Sequence, residues 1–138
     1  MLWHMTEYAK GTFTIDGWDQ ETFDEAEAEG ATLAQATVTK TFTGDLTGTS
    51  STRILMCTTQ VETSAAYVGF ERFSGTAGGR TGTFVLHHSA TADADAGQAL
   101  HWAIVPDSGT GDLRTIRGTG QITVDADGGH AYTLEYTL

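Results

Sequence analysis

Apolar and polar residues alternate with a period of two along several stretches of this sequence, and that spacing places successive side chains on opposite faces of a β-strand. In two stretches Val38, Lys40 and Phe42 alternate with Thr39, Thr41 and Thr43, and Tyr132, Leu134 and Tyr136 alternate with Ala131, Thr133 and Glu135. A strand of this kind buries one face and leaves the other in water or against a partner. The pattern therefore predicts a sheet with one buried face.

The chain divides into eight runs of strand length, separated by clusters of Gly, Asp and Ser. These runs are Glu7–Trp18, Thr32–Thr43, Leu46–Thr59, Ser64–Ser74, Arg80–Ala90, Gln98–Pro106, Leu113–Val124 and His130–Leu138. Because no helical segment of crossover length lies between them, the sheet is predicted to be antiparallel and largely a meander. The predicted fold class is all-β, a closed or nearly closed barrel of about eight strands, with a β-sandwich as the alternative.

The links between the runs have the composition of turns. We interpret Thr43–Leu46 as a tight turn, Ser74–Gly79 as a looser glycine-rich link and Asp125–Gly129 as a turn with positive φ. The acidic stretch Gln20–Ala34 has little apolar periodicity. It is therefore predicted to be a connector, with at most a short strand or one helical turn.

Composition supports strands and excludes several classes of partner. The chain has 25 threonines, which favour strands, and a single proline, which leaves strand ladders uninterrupted. Its 18 acidic and 7 basic residues give a net charge of −11. This charge argues against unassisted binding to nucleic acid and against docking on an anionic membrane. The single cysteine, Cys57, excludes an internal disulfide and is predicted to be a buried thiol.

The chain length predicts a single domain. We expect Met1–Met5 to be a leader or a remnant of cloning, and residues 6–138 to form one barrel. The first residues lack the basic stretch and the long apolar stretch of a signal peptide, so a cytoplasmic location is expected.

A series of motifs runs in order along nearly the whole chain. They are Gly11–Trp18, Tyr67–Gly75, Gly79–His88, Trp102–Leu113, Arg117–Gly120 and His130–Tyr136. Together they resemble a family of small bacterial proteins known only as a domain of unknown function, whose fold is similar to the allene oxide cyclase barrel. The resemblance implies a closed barrel but assigns no activity, because the family itself has none assigned. The catalytic positions of allene oxide cyclases have no counterpart here, so their chemistry is not carried over. The chain departs from the family pattern at Ala90 and Asp107, where glycine is usual, and at His87, where the family more often has another polar residue.

Two pairs of adjacent residues could carry chemistry. Glu71 and Arg72 are neighbours on one strand, so one of them faces inward, and an inward Glu71 would have its pKa raised by desolvation. The alternative is an outward Glu71 paired with a basic group. His87 and His88 also point to opposite faces and cannot hold one metal ion together. One register of the hairpin places Glu71 and His88 on the same face, where they would form an acid/base pair or orient a ligand. A slip of one residue separates them and leaves His88 as a structural histidine hydrogen-bonded to its neighbours.

Aromatic residues with polar tips on the later strands suit both packing and ligand recognition. Together with the charged candidates they form the predicted ligand-binding set: Tyr67, Glu71, His88, Trp102, Arg117, Tyr132 and Tyr136. Trp102 is expected in the core or in a cavity wall. Arg117 is expected to neutralise an inner carboxylate such as Glu71, or to bind a carboxylate of the ligand.

The remaining motifs predict neither a metal nor a cofactor. The glycines of Pro106–Asp112 are followed by no lysine and no helix, so this segment is predicted to be a wide turn at a barrel rim rather than a phosphate-binding loop. Asp93–Asp95 and Asp125–Asp127 resemble the start of a calcium loop but lack its distant glutamate.

Three functions remain open from the sequence. The first is a barrel that binds a small, largely apolar ligand. The second is an isomerase or cyclase without a cofactor that uses Glu71 or His88 as its acid or base. The third is a packed barrel that acts through self-association, and a homodimer or homotrimer is compatible with all three. A barrel interior filled by side chains would exclude the first two.

Overall fold

The computed structural model describes residues 5–95 and 97–138, so the expectation for Met1–Met5 lies outside the described residues except at Met5. Eight strands account for most of the described chain. They are β1 (Glu7–Asp24), β2 (Thr32–Gly44), β3 (Leu46–Thr58), β4 (Ala65–Ala77), β5 (Arg80–Asp93), β6 (Gly97–Ile104), β7 (Arg117–Val124) and β8 (His130–Thr137). A short 3-10 helix, Gly111–Leu113, lies between β6 and β7. No helix of the described residues is long and apolar enough to cross a membrane.

The strands close into a barrel in the order in which they occur along the chain. Every strand pairs antiparallel with its neighbour in sequence, and β1 also pairs with β8, from Glu7 opposite Tyr136 to Phe13 opposite His130. The predicted closed meander is therefore confirmed, and pairing of the first strand with the last excludes the alternative of an open sandwich.

The paired segment between two adjacent strands, called a joint below, is much shorter at one place in the barrel than elsewhere. Among the described residues, β6 and β7 are joined by two residue pairs, Trp102 opposite Gly120 and Ala103 opposite Thr119. Each of the other joints carries at least seven pairs. Gly120 permits this joint because a Cβ atom there would lie 2.6 Å from the Trp102 ring.

Two predicted boundaries differ most from the structure, the end of β1 and the start of β7. β1 continues through the predicted connector to Asp24, because residues of this polar stretch pair with the start of β2, Gln20 with Ala36 among them. Ladder hydrogen bonds hold this extension although both of its faces are exposed. Leu113 belongs to the 3-10 helix, and β7 starts only at Arg117.

The turn between β4 and β5 is tighter than predicted. Only Gly78 and Gly79 separate the two strands, with φ values of 57° and 82°. Two consecutive positive φ angles fit the right-handed twist of a hairpin, and glycine adopts them without a steric cost. Asp107 has a φ of 65° and is the one residue other than glycine with a positive φ in the described part of the chain.

The barrel interior has two different halves. The half that contains the β2–β3 and β4–β5 turns is filled by a large apolar cluster that includes Phe42, Phe73, Phe84, Trp102 and Leu134. The chain between β6 and β7 covers this end, since Leu113 and Ile116 are fully buried in the same cluster. The half that contains the opposite strand ends has a smaller cluster of Ala36, Val38 and Ile54.

Candidate functional site

A cavity of about 670 Å³ occupies the second half of the barrel and opens at its rim. Its walls are mostly apolar side chains of the inward-facing positions. They include Val38, Ile54, Met56, Leu100, Ile122 and Val124. Lys40, Thr52, Tyr67 and His88 also line it. The volume lies within the range of about 300–1,000 Å³ that ligand sites occupy.

A layer of buried polar residues separates the cavity from the packed half. The buried polar or charged side chains among the described residues are Lys40, Ser50, Thr52, Glu71 and His88. They come from four adjacent strands, β2 to β5, at positions that point inward. The strand register brings them together, because Lys40 lies opposite Ser50 and Thr52 lies opposite Glu71.

Glu71 is the centre of this layer and is fully buried, with 0% exposure. Its Oε2 atom accepts a hydrogen bond of 2.6 Å from the Ser50 hydroxyl and lies 3.2 Å from Lys40 Nζ. Its Oε1 atom accepts a hydrogen bond of 3.1 Å from Trp102 Nε1. The carboxylate is therefore paired with a cation and hydrogen-bonded on both oxygens, which is what a buried charge requires.

The register also settles the relation between Glu71 and His88. Gly69 lies opposite His88, and Glu71 lies opposite Leu86, so Glu71 and His88 point to the same face as diagonal neighbours. His88 Nδ1 lies 3.6 Å from Glu71 Oε1, an electrostatic contact longer than a hydrogen bond. His88 Nε2 lies 2.8 Å from the Tyr67 hydroxyl, so a chain of polar contacts links Glu71 to the cavity wall.

The pKa of Glu71 is shifted in the direction opposite to the prediction. Burial acts to raise it, but the His88 ring, the charge of Lys40 and the hydrogen bond from Ser50 outweigh burial and lower the pKa from 4.5 to about 2. Glu71 is therefore an ionised carboxylate at neutral pH. It organises the layer but is a weak base, and as an acid it has no proton to give.

Burial and then the charge of Glu71 raise the pKa of Tyr67, so its hydroxyl keeps its proton at neutral pH. That hydroxyl can donate to His88 Nε2, and His88 Nδ1 lies on the side of Glu71. Both ring nitrogens of His88 are directed at protein groups in this arrangement.

The site prediction missed three residues of the layer, Lys40, Ser50 and Thr52, and of these Lys40 carries the charge. Its Nζ is held by Glu71 and lies 4.7 Å from the centroid of the Phe13 ring, a cation–π distance. The signal that could have found it is the alternation of Val38, Lys40 and Phe42, which places a lysine on an apolar inward face. A lysine at such a position implies an anionic partner inside the barrel.

Arg117 is not the partner of Glu71, so the predicted pairing is wrong. Its side chain is exposed and lies 3.5 Å from Asp107 on the outside of the barrel. The physical reason is its position at the start of β7, where inward Gly118 and Gly120 alternate with outward residues. Lys40 supplies the positive charge instead.

Three predicted aromatic residues lie in the packed half and do not line the cavity: Trp102, Tyr132 and Tyr136. The Trp102 ring is in the core and reaches the polar layer through Nε1. The Tyr132 hydroxyl accepts a hydrogen bond of 2.8 Å from Leu46 N and donates to the carbonyl oxygen of Thr43 at 3.0 Å, so it braces the β2–β3 turn. Of the predicted set, Tyr67 and His88 line the cavity and Glu71 supports them.

Other candidates lie elsewhere. His87 points outward and its ring contacts those of Phe70 and His101. Cys57 is partly exposed rather than buried, because it occupies an outward position near the open end of β3. The described residues contain no cluster of three or more His, Cys, Asp or Glu side chains suited to a metal ion.

The fold and its interior define a class: a small closed antiparallel β-barrel, packed at one end and hollow at the other, with a buried ion pair between the two halves. Residues 9–136 match the family described as "Protein of unknown function (DUF3224)", and the chain belongs to that family. This confirms the family resemblance drawn from the motifs.

The chain is similar over nearly its whole length to a solved structure of the same family. It is the crystal structure of a protein of unknown function from the DUF3224 family of Shewanella oneidensis MR-1, with 32% sequence identity and a TM-score of 0.85. The match covers 96% of this chain and 97% of that one. No curated protein matches the sequence.

Proposed function

We propose that this protein binds a small, largely apolar molecule in the hollow half of its barrel. The observation that carries the proposal is the cavity itself, about 670 Å³, with walls that are mostly apolar and also carry polar side chains such as Lys40, Thr52 and Gln98. Burying apolar surface in such a site provides the affinity, and the polar groups fix the orientation.

The sizes of the inward-facing side chains along the strands also support the proposal. The inward positions near the rim are occupied by small residues, such as Ala90 and Ala92 on β5, whereas the same face of β5 carries Phe84 and Leu86 in the packed half. Small side chains on one half of an inward face leave volume that the large side chains of the other half fill. The cavity is therefore explained by the small inward-facing side chains of the strands and does not require a break in strand pairing.

Binding has more support than catalysis by Glu71 or His88. Glu71 is ionised, fully buried and engaged on both oxygens. Both His88 nitrogens face Glu71 and Tyr67. Groups with these contacts hold a rigid site better than they exchange protons with a substrate.

The test is to fill the cavity by substitution. Ala90→Trp adds an indole ring at an inward position two residues from His88 and is expected to abolish uptake of N-phenylnaphthylamine, a neutral apolar fluorophore, as measured by fluorescence titration. Thr133→Trp places the same ring on the exposed face of β8 and is expected to leave uptake unchanged.

Native mass spectrometry of the protein purified from its own host gives an independent readout. Added mass on the wild-type chain that Ala90→Trp lacks and Thr133→Trp retains would support the proposal. Equal uptake by Ala90→Trp and the wild type, or no uptake by any variant together with no added mass, would overturn it.

A further inference from the structure

We infer that the molecule bound in the cavity is neutral and carries a hydrogen-bond-accepting oxygen, such as the carbonyl of an ester or a ketone, which Lys40 and Thr52 hold at the inner end. This inference rests on the proposed function and specifies the chemistry of the ligand.

Thr52 provides the first observation. Its side chain is 2% exposed, and its hydroxyl has no hydrogen-bond partner among the described residues. A buried hydroxyl without a partner destabilises the folded chain, because its hydrogen bonds to water are lost and not replaced. Thr52 occupies an inward position of β3 and lines the cavity, so a ligand oxygen at the inner end would accept its hydrogen bond and remove that cost.

Lys40 provides the second observation. An ammonium group has three N–H donors. Among the described residues, its polar contacts are the two oxygens of the Glu71 carboxylate, at 3.4 and 3.2 Å, and its Nζ lies 4.7 Å from the centroid of the Phe13 ring. Lys40 also lines the cavity and is buried, so its remaining donor capacity is available to a ligand in the cavity, where low exposure to water strengthens a hydrogen bond.

The charge balance selects a neutral oxygen over a carboxylate. Glu71 already compensates Lys40 in direct contact. A ligand carboxylate at the inner end would be a second anion beside a single cation, and its desolvation would be uncompensated. The net charge of −11 for the whole chain also repels anions that approach the mouth.

The test compares three probes of matched chain length: octane, methyl octanoate and octanoate. Each is titrated at neutral pH against the protein loaded with N-phenylnaphthylamine, and displacement of the fluorophore gives the affinity. We expect methyl octanoate to bind more tightly than octane, and octanoate to bind most weakly.

Thr52→Val removes the hydroxyl and keeps the shape of the side chain. It is expected to weaken methyl octanoate by about threefold to tenfold, the value of one neutral hydrogen bond, and to leave octane unchanged. Thr49→Val, at an exposed outward position of the same strand, is the matched control and is expected to change neither affinity.

Lys40 requires a paired substitution, because Lys40→Met alone leaves Glu71 as an unpaired buried charge. The double variant Lys40→Met with Glu71→Gln keeps the layer neutral. It is expected to lower the preference for methyl octanoate over octane by tenfold or less, with a retained circular dichroism spectrum.

The outcomes separate the two proposals. Octane and methyl octanoate that bind equally, or octanoate that binds most tightly, would overturn the inference and leave ligand binding intact. An unchanged ester preference in both Thr52→Val and the double variant would also overturn it. A fluorophore that never binds, with no added mass on the native protein, would overturn the proposed function itself.

Discussion

At the scale of single residues, the five buried polar side chains show how a small barrel accommodates charge. Each partner of Glu71 comes from a different strand: Lys40 from β2, Ser50 from β3, His88 from β5 and Trp102 from β6. A site assembled in this way is held by the ladders on both sides of every strand. Its geometry is therefore as rigid as the barrel, which is the property that a specific binding site needs.

The lowered pKa of Glu71 makes stability depend on pH in acid. Between the ordinary pKa of 4.5 and the folded value of about 2, the unfolded chain takes up a proton that the folded chain does not. The free energy of unfolding should therefore fall as the pH decreases through this window, by up to roughly 3 kcal/mol from this group, and the contribution is fully present above pH 4.5.

Urea denaturation of the wild type and Glu71→Gln across this pH window measures the effect. The variant should be less stable at neutral pH, because Lys40 loses its partner, and should have a shallower pH slope. Glu135→Gln, on the exposed face of β8, is the control and should follow the wild type. Parallel slopes for the wild type and Glu71→Gln would show that this carboxylate is not the source.

The sequence predicted part of the candidate site. Glu71 and His88 were found because each stands out within its strand, and the hairpin register that joins them has only two values. Lys40 was missed because its role depends on contacts between strands that are 31 residues apart in sequence. Arg117 was predicted to face inward but faces outward, because a shift of one position along a strand decides whether a charged side chain lies inside or outside the barrel.

At the scale of elements, Tyr132 shows how the packed end is fixed. Its hydroxyl joins β8 to the turn between β2 and β3, through Leu46 N and the Thr43 carbonyl oxygen. This contact bridges residues 86 positions apart in sequence, so it fixes the tertiary position of a turn whose local conformation depends on Gly44.

Tyr132→Phe should lower the free energy of unfolding by about 1–3 kcal/mol, because the Leu46 amide would lose its partner in a buried place. Tyr8→Phe removes a hydroxyl from an exposed tyrosine on β1 and should have no measurable effect. Thermal unfolding followed by circular dichroism compares the two. Equal stability of both variants would mean that the hydroxyl adds nothing to the fold.

Strand number, order and most boundaries were predictable, because glycine and acidic clusters punctuate an alternating pattern. The extension of β1 to Asp24 was not, since its polar sequence carries no buried face and only its pairing with β2 makes it a strand. The two-residue turn at Gly78–Gly79 was also set by pairing, because Ala77 lies opposite Arg80.

At the scale of the whole molecule, the outer surface carries an apolar patch on β3 and β4. Leu55 lies opposite Val68, and Phe70 is the next outward residue along β4. The three side chains are 52%, 44% and 57% exposed. Covering such an apolar patch with another protein surface is favourable, and formation of the predicted homodimer or homotrimer would cover it.

Light scattering coupled to size exclusion tests this prediction. The wild type should give a mass above the 14.7 kDa of one chain. Phe70→Glu should return it to the mass of one chain, and Phe23→Glu, an equally exposed position on β1, should not. A wild-type mass of one chain would remove self-association from the possible functions.

The short joint between β6 and β7 is the place where the barrel opens at the lowest cost in backbone hydrogen bonds. Motions that widen a closed ring concentrate where the fewest backbone hydrogen bonds must break, and here that is a joint of two residue pairs. Leu100 and Ile122 line the cavity on either side of it. We therefore expect a transient separation of these two strands to give a molecule wider than the resting mouth a lateral passage into the interior, while the other joints keep the barrel folded.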